Sequence, residues 1–143
     1  MPEFHASVTI DRPPAAVFAY VADIARWPEW RMAVNNAELV TPGPVGVGTR
    51  ITVAGSAMGR SMEMEVEITG YDPPDTVAFA MRTGPVTGSG AFRFEPAGTG
   101  TRVTVSGSAE PVGALRLAAG LVVRQAQAMW ADDLAALKGV LEG

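Results

Sequence analysis

Few side chains in this 143-residue chain are of types that do chemistry, and their spacing keeps them apart. The only histidine, His5, lies in a stretch where Phe4, Ala6, Val8 and Ile10 alternate with Glu3, His5, Ser7 and Thr9. That period of two marks a half-buried strand and puts His5 on the solvent side, away from any partner that would make it a general base. Glu63, Glu65 and Glu67 alternate in the same way with Met62, Met64, Val66 and Ile68, so the carboxylates line one wet face instead of converging on a metal or a substrate. Gly43, Gly46 and Gly48 have the look of a phosphate loop but lead into another strand, with no helix N-terminus to receive an anion. Arg82 follows an inward Met81, and Arg93 stands between inward Phe92 and Phe94, so alternation sends both guanidinium groups outside. With no cysteine there is no thiolate nucleophile, thiolate metal site or disulfide. The expectation is no catalytic residue, no metal and no cofactor.

The remaining sequence reads as scaffold. Asp11-Arg12-Pro13-Pro14 ends the first strand, and proline suits a first helical turn, where its missing N–H would have had no partner. A helix is expected from Pro14 to Ala22, burying Val17, Phe18 and Val21. A second short helix, Ile24 to about Arg31, would be capped by Asp23 and carry Trp27 and Trp30 on one face. Strands are expected at Thr49–Ala54, Met62–Ile68, Thr76–Arg82, Ala91–Glu95 and Arg102–Ser106, with Gly98-Thr99-Gly100 joining the last two as a hairpin. The three glycines of Gly84–Gly90 suggest a loosely held loop. From Gly113 to Glu142 one long helix would carry Leu115, Ala119, Val123, Trp130, Leu134, Leu137 and Leu141 on a broad apolar face, with Asp133 at its margin reaching water.

Composition sets the outer bounds. Hydrophobic residues at 48% against 18% charged fit a single folded domain over residues 1–143 and exclude a disordered chain. A net charge of −4 with dispersed arginines offers no basic stripe, so nucleic acid is not an expected partner. No basic leader and no apolar run of membrane-spanning length occur, so a cytoplasmic protein without a membrane segment is expected, as a monomer or weak homodimer.

The order of strand, two short helices, about six or seven strands and a long helix, with Pro13-Pro14-Ala15-Ala16-Val17-Phe18 and Asp23-Ile24-Ala25-Arg26-Trp27-Pro28-Glu29, resembles the START-like helix-grip superfamily, in particular its polyketide cyclase/dehydrase-like branch. The resemblance implies an α+β helix-grip fold, a curved antiparallel sheet wrapped on the C-terminal helix, with ligands held between them. Carried onto this chain by alternation, the wall comprises Trp27 and Val34, then Met62, Met64, Val66 and Ile68 from the long strand. Phe79, Met81, Phe92, Phe94 and Trp130 complete it, with Ile51, Val53 and Val103 beside them. Cyclases of this branch use a pocket tyrosine after the tryptophan helix and an arginine late in the long strand. Here Val34 and Ile68 stand in those places, and neither can polarise a ketone. The leading expectation is therefore binding or carriage of a hydrophobic small molecule such as a lipid, isoprenoid or polyketide-like compound, without catalysis. Two alternatives stand beside it: a cyclase or dehydrase that shapes a poly-ketone chain, and an interaction module with a filled cavity that presents Leu117, Leu121 and Trp30.

Overall fold

A computed structural model describes residues 3–31, 34–57, 60–82, 86–111, 117 and 119–143. Strand β1 (Glu3–Ile10) is followed by helix α1 (Pro14–Ala22) and a 3₁₀ helix (Ile24–Glu29). Six further strands follow: β2 (Val34–Leu39), β3 (Arg50–Ala57), β4 (Arg60–Asp72), β5 (Thr76–Met81), β6 (Val86–Ala97) and β7 (Gly100–Pro111). Helix α2 (Ala119–Glu142) closes the chain. The seven strands form one antiparallel sheet in the order β1-β7-β6-β5-β4-β3-β2. Every connection within the run β2 to β7 therefore joins neighbours, and β1 returns to pair with the last strand.

The alternation read from the sequence sets the two faces. Phe4 and Ile10 of β1, Val66 and Ile68 of β4, Phe92 and Phe94 of β6 and Val103 and Val105 of β7 are all buried in one core. His5 and Glu63 are exposed on the other side, and Glu65 and Glu67 are half-buried there in ion pairs with Arg50 and Arg82. Helix α2 lies over β1 and β7 with Trp130, Leu134 and Leu137 buried beneath it. Its C-terminal end is tied to the start of the chain: Lys138 Nζ donates to the Thr9 carbonyl at 2.8 Å, and the Asp11 N–H donates to Glu142 Oε2 at 2.8 Å. Helix α1 buries Phe18 edge-on against Phe94 and Tyr71.

Several expectations are corrected. Asp23 caps nothing through its side chain; the second helix is a 3₁₀ turn whose first bond runs from the Arg26 N–H to the Asp23 carbonyl, and the Asp23 carboxylate pairs instead with Arg26 at 3.2 Å. Strand β2 has no counterpart in the sequence reading, because a register shift between Val34 and Asn36 breaks the period of two that would have revealed it. The glycines of 86–90 are strand, not loop: Gly88 and Gly90 pair with Met81 and Phe79 on one side and with Ala109 and Gly107 on the other. Gly90 is there because a Cβ would meet the Phe79 ring at 2.9 Å and the Phe4 ring at 3.4 Å, so bare backbone forms the floor on which these rings lie. Trp30 is buried, which removes it from any surface for partners, although Leu117 and Leu121 are exposed. Residues 113–116 of the expected long helix lie outside the described residues.

Candidate functional site

The 3₁₀ helix positions the centre of the site. Its Trp27 indole N–H donates to the Val21 carbonyl at 3.1 Å, which anchors the turn on α1 and points the ring into the space between sheet and helix. There it meets Phe79 of β5 at 5.8 Å, Phe92 of β6 at 6.3 Å and Trp130 of α2 at 6.3 Å between ring centroids. Trp30 joins the same group, 6.2 Å from Phe92 and 6.4 Å from Trp130. Most of these rings meet edge-on or tilted, the arrangement their quadrupoles favour. The five rings thus form one cluster under α2.

Of the wall read from the sequence, Trp27, Val34, Val66, Ile68, Phe79, Phe92, Phe94 and Trp130 are buried in the common core, with Ile51, Val53 and Val103. Met64 and Met81 are only half-buried, as is Met129 of α2. The side chain of Met62 lies outside the described residues. The inner face is therefore sealed at Ile68 and Phe79 and less covered towards Met64 and Met81.

A buried ion pair overturns the expectation of an entirely apolar wall. Arg31, at the end of the tryptophan turn, is buried with 7% of its surface exposed, and Asp133, expected in water, is 1% exposed. The Arg31 Nε donates to Asp133 Oδ2 at 3.0 Å, and Nη2 approaches Met129 Sδ at 3.8 Å. The guanidinium carbon lies 3.8 Å from the Trp130 ring centroid and 4.9 Å from that of Trp27. Burial pushes the Arg31 pKa below its ordinary value, and the Asp133 charge and hydrogen bond oppose that shift. A cation held by a carboxylate and two indole faces has the donors to polarise an oxygen acceptor. Arg82 and Arg93, the arginines singled out by their strand positions, are both outside as alternation required: Arg82 pairs with Glu67 at 3.3 Å, and Arg93 borders a polar hollow on the solvent face with His5, Glu95 and Arg102. Among the described residues no cluster of three or more His, Asp or Glu is placed to hold a metal ion.

A hollow of about 390 Å³ opens beside this pair, lined by Pro28, Glu29, Trp30, Arg31, Val34, Asn35 and Ala136. It joins the tryptophan turn, the start of β2 and the middle of α2. Residues 1–142 match the family described as polyketide cyclase / dehydrase and lipid transport. The chain belongs to that family. Among solved structures, a protein from Thermus thermophilus is 25% identical, with 96% of this chain and 95% of that one covered and a TM-score of 0.84. A START superfamily protein from Mycobacterium smegmatis shares the fold at 16% identity, with 98% and 97% covered and a TM-score of 0.84. The di-domain ARO/CYC BexL shares it at 24% identity and a TM-score of 0.80, with 99% of this chain lying on 47% of that protein. No curated protein is similar enough to add a relative. Membership of the polyketide cyclase / dehydrase and lipid transport family supports a role in hydrophobic ligand binding or cyclase/dehydrase-like chemistry. The Val34 and Ile68 positions are apolar and buried, so any polar group serving such a role here comes from elsewhere in the wall.

Proposed function

We propose that this chain binds or carries a hydrophobic small molecule between the concave face of the sheet and α2, with the eleven-residue wall from Trp27 to Trp130 described above as its lining. The observation that carries this reading is the aromatic cluster of Trp27, Trp30, Phe79, Phe92 and Trp130 between the sheet and α2, where the helix-grip resemblance leads one to expect a ligand. The half-buried methionines Met64, Met81 and Met129 support it, since flexible thioethers can yield to a guest where the rings cannot. Extraction of the purified protein with organic solvent, followed by mass spectrometry and titration with lipids, isoprenoids and aromatic polyketides, tests it. Retention of a stoichiometric apolar compound is expected; a protein that neither retains nor binds any of them overturns the reading.

A second reading, a cyclase or dehydrase, is favoured by one observation: Arg31 and Asp133 place a charged donor and a carboxylate inside the aromatic cluster. Incubation with a linear poly-ketone tests it, with accelerated and regioselective ring closure as the supporting result and an unchanged product mixture as the opposing one. The net charge of −4 supports a partner other than nucleic acid. Among the described residues no helix is long and apolar enough to cross a membrane. A cytoplasmic setting and a monomer or weak homodimer complete the proposal.

A further inference from the structure

The Trp30 indole Nε1 is the one buried side-chain nitrogen or oxygen among the described residues with no hydrogen-bond partner. An orphaned buried donor costs its full desolvation, so a fold that keeps one gains something by it elsewhere. Trp30 and Arg31 are consecutive, both more than nine-tenths buried, and both line the same hollow. Both also touch the same two rings: Trp30 lies 6.2 Å from Trp27 and 6.4 Å from Trp130 between centroids, and the Arg31 guanidinium lies against those two indoles. Among the described residues Arg31 Nη1 has no hydrogen-bond partner. Two donors with spare capacity thus sit side by side where the aromatic cluster meets a hollow that also carries Glu29 and Asn35.

We infer that Trp30 and Arg31 form the polar recognition point of the site, donating to a neutral carbonyl oxygen on an otherwise apolar ligand. This rests on the hydrophobic-ligand reading above and specifies the ligand's head. Neutrality follows from charge: Asp133 already balances Arg31 at 3.0 Å, and Glu29 also lines the hollow. A carboxylate head would bring an uncompensated negative charge into a buried, already balanced site. A ketone or ester oxygen accepts two hydrogen bonds without adding charge.

The experiment compares three probes of equal chain length, undecane, methyl nonyl ketone and undecanoate, competing for the native protein against a brominated alkane that quenches tryptophan emission. The ketone is expected to bind more tightly than both others. Trp30→Phe removes the N–H and keeps an aromatic ring, so it is expected to weaken the ketone roughly two- to tenfold, the worth of one hydrogen bond, and to leave undecane unchanged. Its thermal stability is expected to fall somewhat, because the smaller ring leaves a cavity among Trp27, Phe92 and Trp130 and loss of the orphaned donor offsets only part of that; a merely structural tryptophan would lose affinity for all three probes together, and not for the ketone alone. Equal binding of ketone and alkane, or a ketone affinity untouched by Trp30→Phe, overturns the inference while the hydrophobic-ligand reading survives. Tighter binding of undecanoate overturns the charge argument. If none of the probes binds, the hydrophobic-ligand reading falls first and the inference with it.

Discussion

Replacing Asp133 by leucine leaves a charged group stranded in the core. The Arg31 guanidinium is 7% exposed, its Nε is 3.0 Å from Asp133 Oδ2, and its flanks are covered by the Trp27 and Trp130 rings. Arginine keeps its proton at any ordinary pH, so it cannot escape the penalty by becoming neutral. The cation–π contacts are worth about 2 kcal/mol in a desolvated site, but they are present with and without Asp133 and so do not offset its loss. Breaking a buried pair in this way costs about 3–5 kcal/mol. In a domain of this size that is roughly 6–20 °C of melting temperature. Replacing both partners, Arg31→Met with Asp133→Leu, removes the stranded charge and is expected to return stability to within about 1 kcal/mol of the native protein or above it. Urea denaturation followed by tryptophan emission measures all three, since Trp27, Trp30 and Trp130 are the only tryptophans and all lie in the site. A loss below about 1 kcal/mol in Asp133→Leu, with an unchanged denaturant slope, would refute the reasoning by showing that the guanidinium reaches water easily.

Trp27→Ala is expected to cost about 3–5 kcal/mol, because it removes a buried indole with four ring neighbours and a hydrogen bond to Val21; an unchanged melting temperature with lost ligand binding would make Trp27 a recognition residue only. Gly90→Ala is expected to cost about 1–3 kcal/mol by overpacking against the buried Phe79 ring, seen as a lower denaturation midpoint, and a neutral effect would mean that the ring moves freely. The Tyr20 phenol, pushed up to about 12 by burial and by its hydrogen bond to Glu29, favours the folded state below its ordinary value of 10.0; that contribution is lost as pH rises through about 12. Ultraviolet titration of a Tyr71→Phe protein reads Tyr20 alone. Glu29→Gln should lower the value, and ionisation near 10.0 with Glu29 present would contradict the contact.

The parts of the fold that could be read in advance are those in which one face is buried and the other is wet. Strands β1 and β4 announce themselves because Phe4, Ala6 and Ile10, or Val66 and Ile68, alternate strictly with polar residues. Strand β2 escapes because its bulge at Val34–Asn36 breaks the period and Leu39 faces solvent. The inner face of β6 carries Gly88 and Gly90, which look like loop in the sequence; the Phe79 and Phe4 rings supply the reason for the missing side chain at Gly90, and the Ser108 backbone of β7 supplies it at Gly88. Eight of the eleven wall residues were legible as buried apolar positions, yet the polar heart of the site was not. Arg31 and Asp133 are 102 residues apart in sequence, and only the closure of α2 over the tryptophan turn brings them together. A signal was nevertheless present: at 100° per residue Asp133 falls about 60° from Trp130 and 40° from Leu137, inside the apolar stripe, where a carboxylate requires a partner.

The central claim is that an apolar guest lies against the aromatic cluster, and bromine quenching tests it most directly. A brominated alkane quenches an indole at contact, and every tryptophan of the chain is in the cluster. Saturable quenching at one equivalent, relieved by competing methyl nonyl ketone, is the expected result. Quenching that rises linearly without saturation, no steeper than that of free tryptophan in the same solution, would contradict it.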